Sequence, residues 1–238
     1  MTGDCHVRFC ERRGLRCPRL LDYVFDLWVH QWRRRHAHGD VIVVRFADDA
    51  VVGFEHRDDA ERFHSDLRER LAQFALELHA EKTRLIEFGR FAAERRVRRG
   101  DGKPETFEFL GFTHICARSK NGRFWVRRIT ISKRMRAKLR EVTLQLRRRR
   151  YQPIPVQGRW LASVLRGHMA YYAVPGNAHA VRAFRTQLTG RWYKALRRRS
   201  QKAGINWTRM NRIQKRWLPP ARITHPFPEA RFAAMHPR

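Results

Sequence analysis

Acidic side chains are scarce in this chain: 22 Asp and Glu stand against 52 Lys and Arg, a formal charge of +30 over 238 residues. An excess of that size repels itself in a compact fold, so a polyanion is the expected partner. Nucleic acid fits best, because each Lys or Arg set on a phosphate releases a condensed counterion. Long apolar runs are also missing. No stretch of 18 apolar residues occurs and no secretory hydrophobic segment opens the chain, which argues against a membrane partner and predicts a cytoplasmic protein. The four cysteines (Cys5, Cys10, Cys17, Cys116) make no Cys-x-x-Cys pair, and the 12 histidines include no His-Glu-x-x-His. No zinc site is therefore expected, and the thiols read as reduced.

What is present is organised around Val41-Ile42-Val43-Val44-Arg45-Phe46-Ala47-Asp48-Asp49-Ala50-Val51-Val52-Gly53-Phe54. Two β-branched runs flank a pair of carboxylates, which predicts a hairpin with Ala47 to Asp49 at or near its turn. Burial of the flanking Val, Ile and Phe would leave Asp48 and Asp49 as paired charges at the rim of a core. Crowded carboxylates repel each other unless a cation offsets them, and oxygen ligands of this kind suit Mg²⁺. Asp pairs also occur in turns for local reasons, since Asp hydrogen-bonds its own backbone there. Asp58-Asp59 reads as that ordinary kind, placed at the start of a helix carrying Ala60, Phe63, Leu67, Leu71 and Phe74.

Several ordered blocks carry a family resemblance. Phe46-Ala47-Asp48-Asp49 resembles the Tyr-Ala-Asp-Asp signature of reverse transcriptases. Leu76-Glu77-Leu78-His79-Ala80-Glu81-Lys82-Thr83 and Phe107-Glu108-Phe109-Leu110-Gly111-Phe112-Thr113-His114 are similar to the palm blocks that follow in group II intron reverse transcriptases. Arg166-Gly167-His168-Met169-Ala170-Tyr171-Tyr172 with Pro175-Gly176-Asn177 resembles their thumb, or maturase, domain. The resemblance implies RNA-templated DNA synthesis between two Mg²⁺ ions. Asp48 would be the chief metal ligand, Asp49 its support, and Lys82 would face the phosphates. It also implies group II intron RNA and a DNA primer or target as partners. The family's fingers and first half-palm, with another catalytic Asp and a Pro-Gln-Gly segment, find no match before Val41. Polymerisation would then need that half in trans.

The expected fold class is α+β: a partial palm of antiparallel hairpins with helices over residues 20–127, then an all-α basic bundle over 128–220. Residues 1–19 lack apolar periodicity and are expected to be poorly ordered, and 221–238 to form an extended tail. A helix from Leu20 to Gln31 should bury Leu20, Leu21, Val24, Leu27 and Trp28. Phe91 to Glu105 reads as an Arg-rich loop. Ser119-Lys120-Asn121-Gly122 reads as the turn of a second hairpin.

Ser132 reads as the cap of a helix striped by Met135, Leu139, Val142 and Leu146. Further helices carry Trp160, Leu161, Val164, Leu165 and Met169; then Val181, Phe184, Leu188, Trp192 and Leu196; then Trp207, Met210, Ile213 and Trp217. Most aromatics in the bundle should be core, with a minority free to stack on unpaired bases. The residues expected to meet nucleic acid are Lys133, Arg134, Arg136, Lys138, Arg140, Arg147, Arg148, Arg166, Arg197, Arg198 and Arg199. Three readings remain open: an enzyme half completed in trans, an RNA-binding maturase module without polymerase activity, or a degenerate remnant with an exposed sheet edge.

Overall fold

The structure is a computed structural model. It covers residues 3–10 as backbone, and residues 21–119, 121–199 and 204–228 with side chains. The chain divides into two compact units, one formed by 1–110 and 114–126 and the other by 111–113 and 127–238. The class is α+β, with antiparallel strands first and helices after.

The first unit is built on a sheet of order β2-β3-β1-β4, where β1 is Gly3–Cys10, β2 Val41–Phe46, β3 Asp49–Phe54 and β4 Glu77–Leu78. A further strand, β5 (Arg84–Ile86), also pairs with β1. The expectation of a poorly ordered N-terminus is therefore corrected for residues 3–10. That strand matches β3 from Gly3↔Phe54 to Arg8↔Asp49 on one side, and β4 and β5 on the other. Pairing of this kind uses backbone N–H and C=O groups that any residue supplies, so it needs no apolar rhythm. Residues 11–19 lie outside the described residues.

One face of the sheet is covered by helices. A π-helical turn, Asp22–Leu27, leads into α1 (Trp28–Arg35), and α2 spans Arg57–Ala72. The core they enclose contains Val24, Phe25, Val29, Trp32, Val52, Phe54, Phe63, Leu67 and Leu71. The π turn widens the spacing from 3.6 to about 4.4 residues and so rotates the buried face. Leu27, expected inside, is exposed, while Phe25 is fully buried. The uncovered side of β2 likewise leaves Ile42, Val44 and Phe46 exposed rather than buried. An edge strand with helices on only one face has nothing to cover its other side chains.

The expected loop at 91–105 is in part a helix, α3 (Ala92–Arg98). Its Ala, Glu and Arg are good helix formers, and ion pairs from Arg95 and Arg99 to Glu87 and from Arg118 to Glu94 hold it. A three-stranded sheet follows in the order β6 (Phe107–Phe109), β7 (Phe112–Arg118), β8 (Phe124–Thr130). Its first turn, Leu110-Gly111, puts both residues at positive φ (47° and 80°). That is the pattern of a tight hairpin turn, which Leu adopts only under strain.

The second unit is a helical bundle of α4 (Ser132–Arg148), α5 (Ile154–Tyr172), α6 (Ala178–Arg197) and α7 (Trp207–Trp217). Leu139, Val142, Leu146, Leu161, Leu165, Val181, Phe184, Leu188, Trp192, Leu196 and Met210 form its core. Ser132 is the first helical residue of α4 rather than its cap; that position falls to Ile131, which gives no side-chain hydrogen bond. After α7, residues 219–228 run without a regular helix or strand, apart from the single helical residue at 228. Thr224 and His225 donate backbone N–H groups to the Ala173 carbonyl at 3.0 and 3.2 Å.

Candidate functional site

The hairpin turns at Ala47-Asp48. Phe46 and Asp49 form the last paired position, and Ala47 takes φ +54°. Asp48 is exposed and Asp49 half-buried, so both carboxylates stand at the tip rather than in the core. One residue before the tip, Arg45 anchors it. Its Nε donates to Asp26 at 2.8 Å, its Nη2 reaches Asp22, and its Nη1 donates to the Ala47 carbonyl at 3.0 Å. The Asp26 hydrogen bond leads in raising the Arg45 pKa above its ordinary value, against its own partial burial, with Asp22 adding to the effect. This fork was not singled out from sequence; its partners come from a helix well before the hairpin.

Lys82 sits on the turn between β4 and β5 and is exposed. Its backbone N–H bonds the His79 carbonyl at 3.1 Å. Registers locate this turn. Strand β1 is matched Phe9 to Leu78 but His6 to Arg84, so three residues of β1 span six of the partner chain. The surplus bulges out opposite Val7 and Arg8, and Arg8 is also the partner of Asp49 on the other side of β1. The ladder positions that flank the Lys82 turn and the carboxylate tip therefore lie at one level of the sheet, on strands two spacings or about 10 Å apart.

Among the described residues, no group of three or more His, Cys, Asp or Glu is arranged to hold a metal. Asp48 and Asp49 supply two adjacent carboxylates. That is a donor set Mg²⁺ accepts, since it takes one or two carboxylates and completes its octahedron with water and substrate phosphate. A separate cavity of about 700 Å³ in the same unit is lined by Glu87, Arg95, Arg96, Arg99, Asp101 and Glu105, in which Arg95 and Arg99 pair with Glu87, Arg99 also with Asp101, and Arg96 with Glu105.

The positive charge is unevenly shared. From Arg127 to Arg238 there are 28 Lys and Arg but only two carboxylate side chains, Glu141 and Glu229, so +26 of the total +30 belongs to that stretch. Lys133, Arg134, Arg136, Lys138 and Arg140 are exposed on α4, Arg147 and Arg148 at its end, Arg166 on α5, and Arg197 and Arg198 at the end of α6. Arg199 departs from the expectation. It is half-buried and donates to the Gln152 carbonyl, and burial lowers its pKa. Trp192 is fully buried and Tyr172 half-buried, Tyr193 stacks on Trp207 at 4.2 Å, and Tyr171 is 49% exposed.

Two polar knots in the bundle also escaped sequence reasoning. Trp192 donates its indole N–H to Gln157 Oε1 at 2.8 Å in the core. Buried Asn177 accepts from Thr130 N at 3.0 Å and donates to the Tyr172 carbonyl at 2.8 Å. No helix among the described residues is long and apolar enough to cross a membrane.

No curated protein matches the chain. The stretch that contains the hairpin, both carboxylates and Lys82, residues 15–114, matches the family model described as reverse transcriptase (RNA-dependent DNA polymerase).

Proposed function

We propose that this protein is a group II intron-type reverse transcriptase and maturase component, which binds intron RNA through its helical unit and carries the Asp48-Asp49 part of a two-metal polymerase site. The observation that carries the RNA-binding reading is the charge distribution: +26 on the stretch 127–238 that contains the bundle, against two carboxylate side chains. Such a surface gains free energy chiefly from phosphates, and the gain is independent of base sequence.

In the polymerase reading, Asp48 and Asp49 would hold Mg²⁺, which when bound polarises a triphosphate and offsets its charge. The protein's own residues have three tasks. Arg45 fixes the turn that presents the two carboxylates, Lys82 offers a cation to the phosphates, and exposed Phe46 lies beside them on the open face of β2. A DNA primer or target would be the second nucleic-acid partner.

The test is binding of the full chain to a group II intron RNA and to an unrelated RNA of equal length across a salt series. Six or more phosphate contacts would weaken binding by about 10³-fold between 50 and 200 mM salt. Tighter binding to the intron RNA at every salt is the expected result. Salt-insensitive binding, or none, would overturn the reading. Primer extension by the chain complemented with a fingers and first-palm half in trans tests the other half: Asp48→Ala and Asp49→Ala should each abolish extension and leave RNA affinity unchanged.

A further inference from the structure

A cavity of about 380 Å³ with a mixed lining opens between α4 and α5, with Arg134, Met135 and Lys138 on one wall and Ser163, Val164, Gly167, His168 and Tyr172 on the other. Nothing in the proposed function uses it. Ordinary ligand pockets begin near this size.

His168 is 8% exposed, and its ring lies parallel to Phe184 at 3.7 Å and tilted against Tyr172 at 4.6 Å. Its Nε2 is buried with no hydrogen-bond partner. An orphaned buried polar atom is costly, so such atoms call for a partner that is not always present. Burial first, and Lys138 second, lower the His168 pKa to about 4, so the ring is neutral near pH 7. With its proton on Nε2, it is a directional donor.

The opposite wall supplies charge. Arg134 and Lys138 are four residues apart and so share a face of α4, and while burial raises the Tyr172 pKa, the Arg134 charge acts to lower it. Lys138 holds Glu141 at 2.9 and 3.0 Å, an exposed and therefore weak ion pair that an anion can displace. At Gly167 an added Cβ would meet nothing within 4 Å, so the cavity is open there. Two cations and one neutral donor around an unfilled space match an anionic group with several oxygens.

We propose that this cavity seats a phosphoryl group of a bound RNA strand, with Arg134 and Lys138 balancing its charge and His168 Nε2 donating to one oxygen. The proposal deepens the RNA-binding reading and rests on it. It makes one phosphate a fixed register point on a surface otherwise held by diffuse charge.

The test uses the full chain with two probes, a 5′-phosphorylated oligouridylate and uridine 5′-monophosphate. Anisotropy reads affinity, and the His168 ring resonances at pH 7 read occupancy. Gly167→Leu fills open space with a good helix former, and His168→Gln keeps a donor of different reach. We expect the oligouridylate to shift the His168 resonances, and each variant to weaken its binding about tenfold, the worth of one hydrogen bond to a charged group. If the oligouridylate binds both variants as it does the unaltered chain and the His168 resonances stay still, the cavity proposal is overturned while RNA binding stands. If only the mononucleotide shifts them, the strand-phosphate assignment is overturned and a free nucleotide is the ligand. If neither probe binds, both readings fall.

Discussion

Arg45 Nη1 donates to the carbonyl of Ala47 at 3.0 Å, so the guanidinium that grips Asp22 and Asp26 also fixes the backbone of the carboxylate turn. Ala47 sits at φ +54°, a region that a non-glycine residue occupies only when its surroundings hold it there. The three bonds use the planar fork of Arg, which a lysine ammonium cannot reproduce. Arg45→Lys should therefore loosen the turn with little loss of global stability. Arg45→Ala should in addition lower unfolding free energy by up to about 1 kcal/mol, since it strips partners from two part-exposed carboxylates that water can then solvate. Amide hydrogen exchange at Asp48 and Asp49, set beside urea unfolding, separates the two effects. Unchanged exchange in both variants would mean that the turn holds itself.

Asp59 supports a second prediction. It is fully buried and accepts N–H bonds from His38 at 2.9 Å and Gly39 at 3.2 Å, with His38 Nδ1 also at 2.9 Å. Burial alone would raise its pKa, but these hydrogen bonds outweigh it and hold the carboxyl below its ordinary value. Asp59→Ala should cost about 2–3 kcal/mol, while Asp58→Ala, at an exposed site, should stay within about 0.5. Because the folded pKa is depressed, this stabilisation is complete above the unfolded carboxylate value near 3.9 and is lost as pH falls through the folded value. Acid titration of stability in the two variants checks it: the unaltered chain and Asp58→Ala should share a limb below about pH 4 that Asp59→Ala lacks.

These cases show what the sequence made legible. Val181, Phe184, Leu188, Trp192 and Leu196 are all buried as their spacing predicts, because a regular helix repeats its face. The same reasoning misplaced Leu27, because a π turn breaks the repeat. The turn at Ala47-Asp48 was legible from the β-branched runs on either side. The fork that anchors it was not, since Arg45 meets Asp26 and Asp22 across 19 and 23 residues of chain. Strand β1 pairs through its backbone and carries little side-chain signal. The turn at Leu110-Gly111 was hidden because Leu rarely takes positive φ. Of the two Asp pairs, the one read as ordinary contains the buried, hydrogen-bonded member.

Gly158 sits where α5 meets α7, and a Cβ there would lie 2.6 Å from Trp217 Cγ and 2.8 Å from its Cβ. Replacing a helical glycine by alanine usually gains up to about 1 kcal/mol. Here the indole body is in the way, so Gly158→Ala should instead cost about 1–3 kcal/mol as overpacking. Adding Trp217→Leu makes room, and the pair should be less damaging than the sum of its parts. Simple additivity in a double-mutant cycle would show that the two helices already have slack at this point.

His168 makes the stability of the bundle depend on acid. The folded ring resists protonation down to about pH 4, whereas in the unfolded chain it takes a proton near its ordinary 6.5. Between those values the unfolded state binds a proton that the folded state does not, so stability falls as pH drops and is fully retained above the upper one. The loss approaches about 3 kcal/mol for a shift of this size. Urea unfolding at pH 7 and 4.5 should show a larger fall for the unaltered chain than for His168→Gln, which has no ring to protonate. Lys138→Gln removes a charge that disfavours the imidazolium, so it should shrink the fall as well. Equal falls in all three would place the acid sensitivity in other groups and leave the ring a packing element against Phe184.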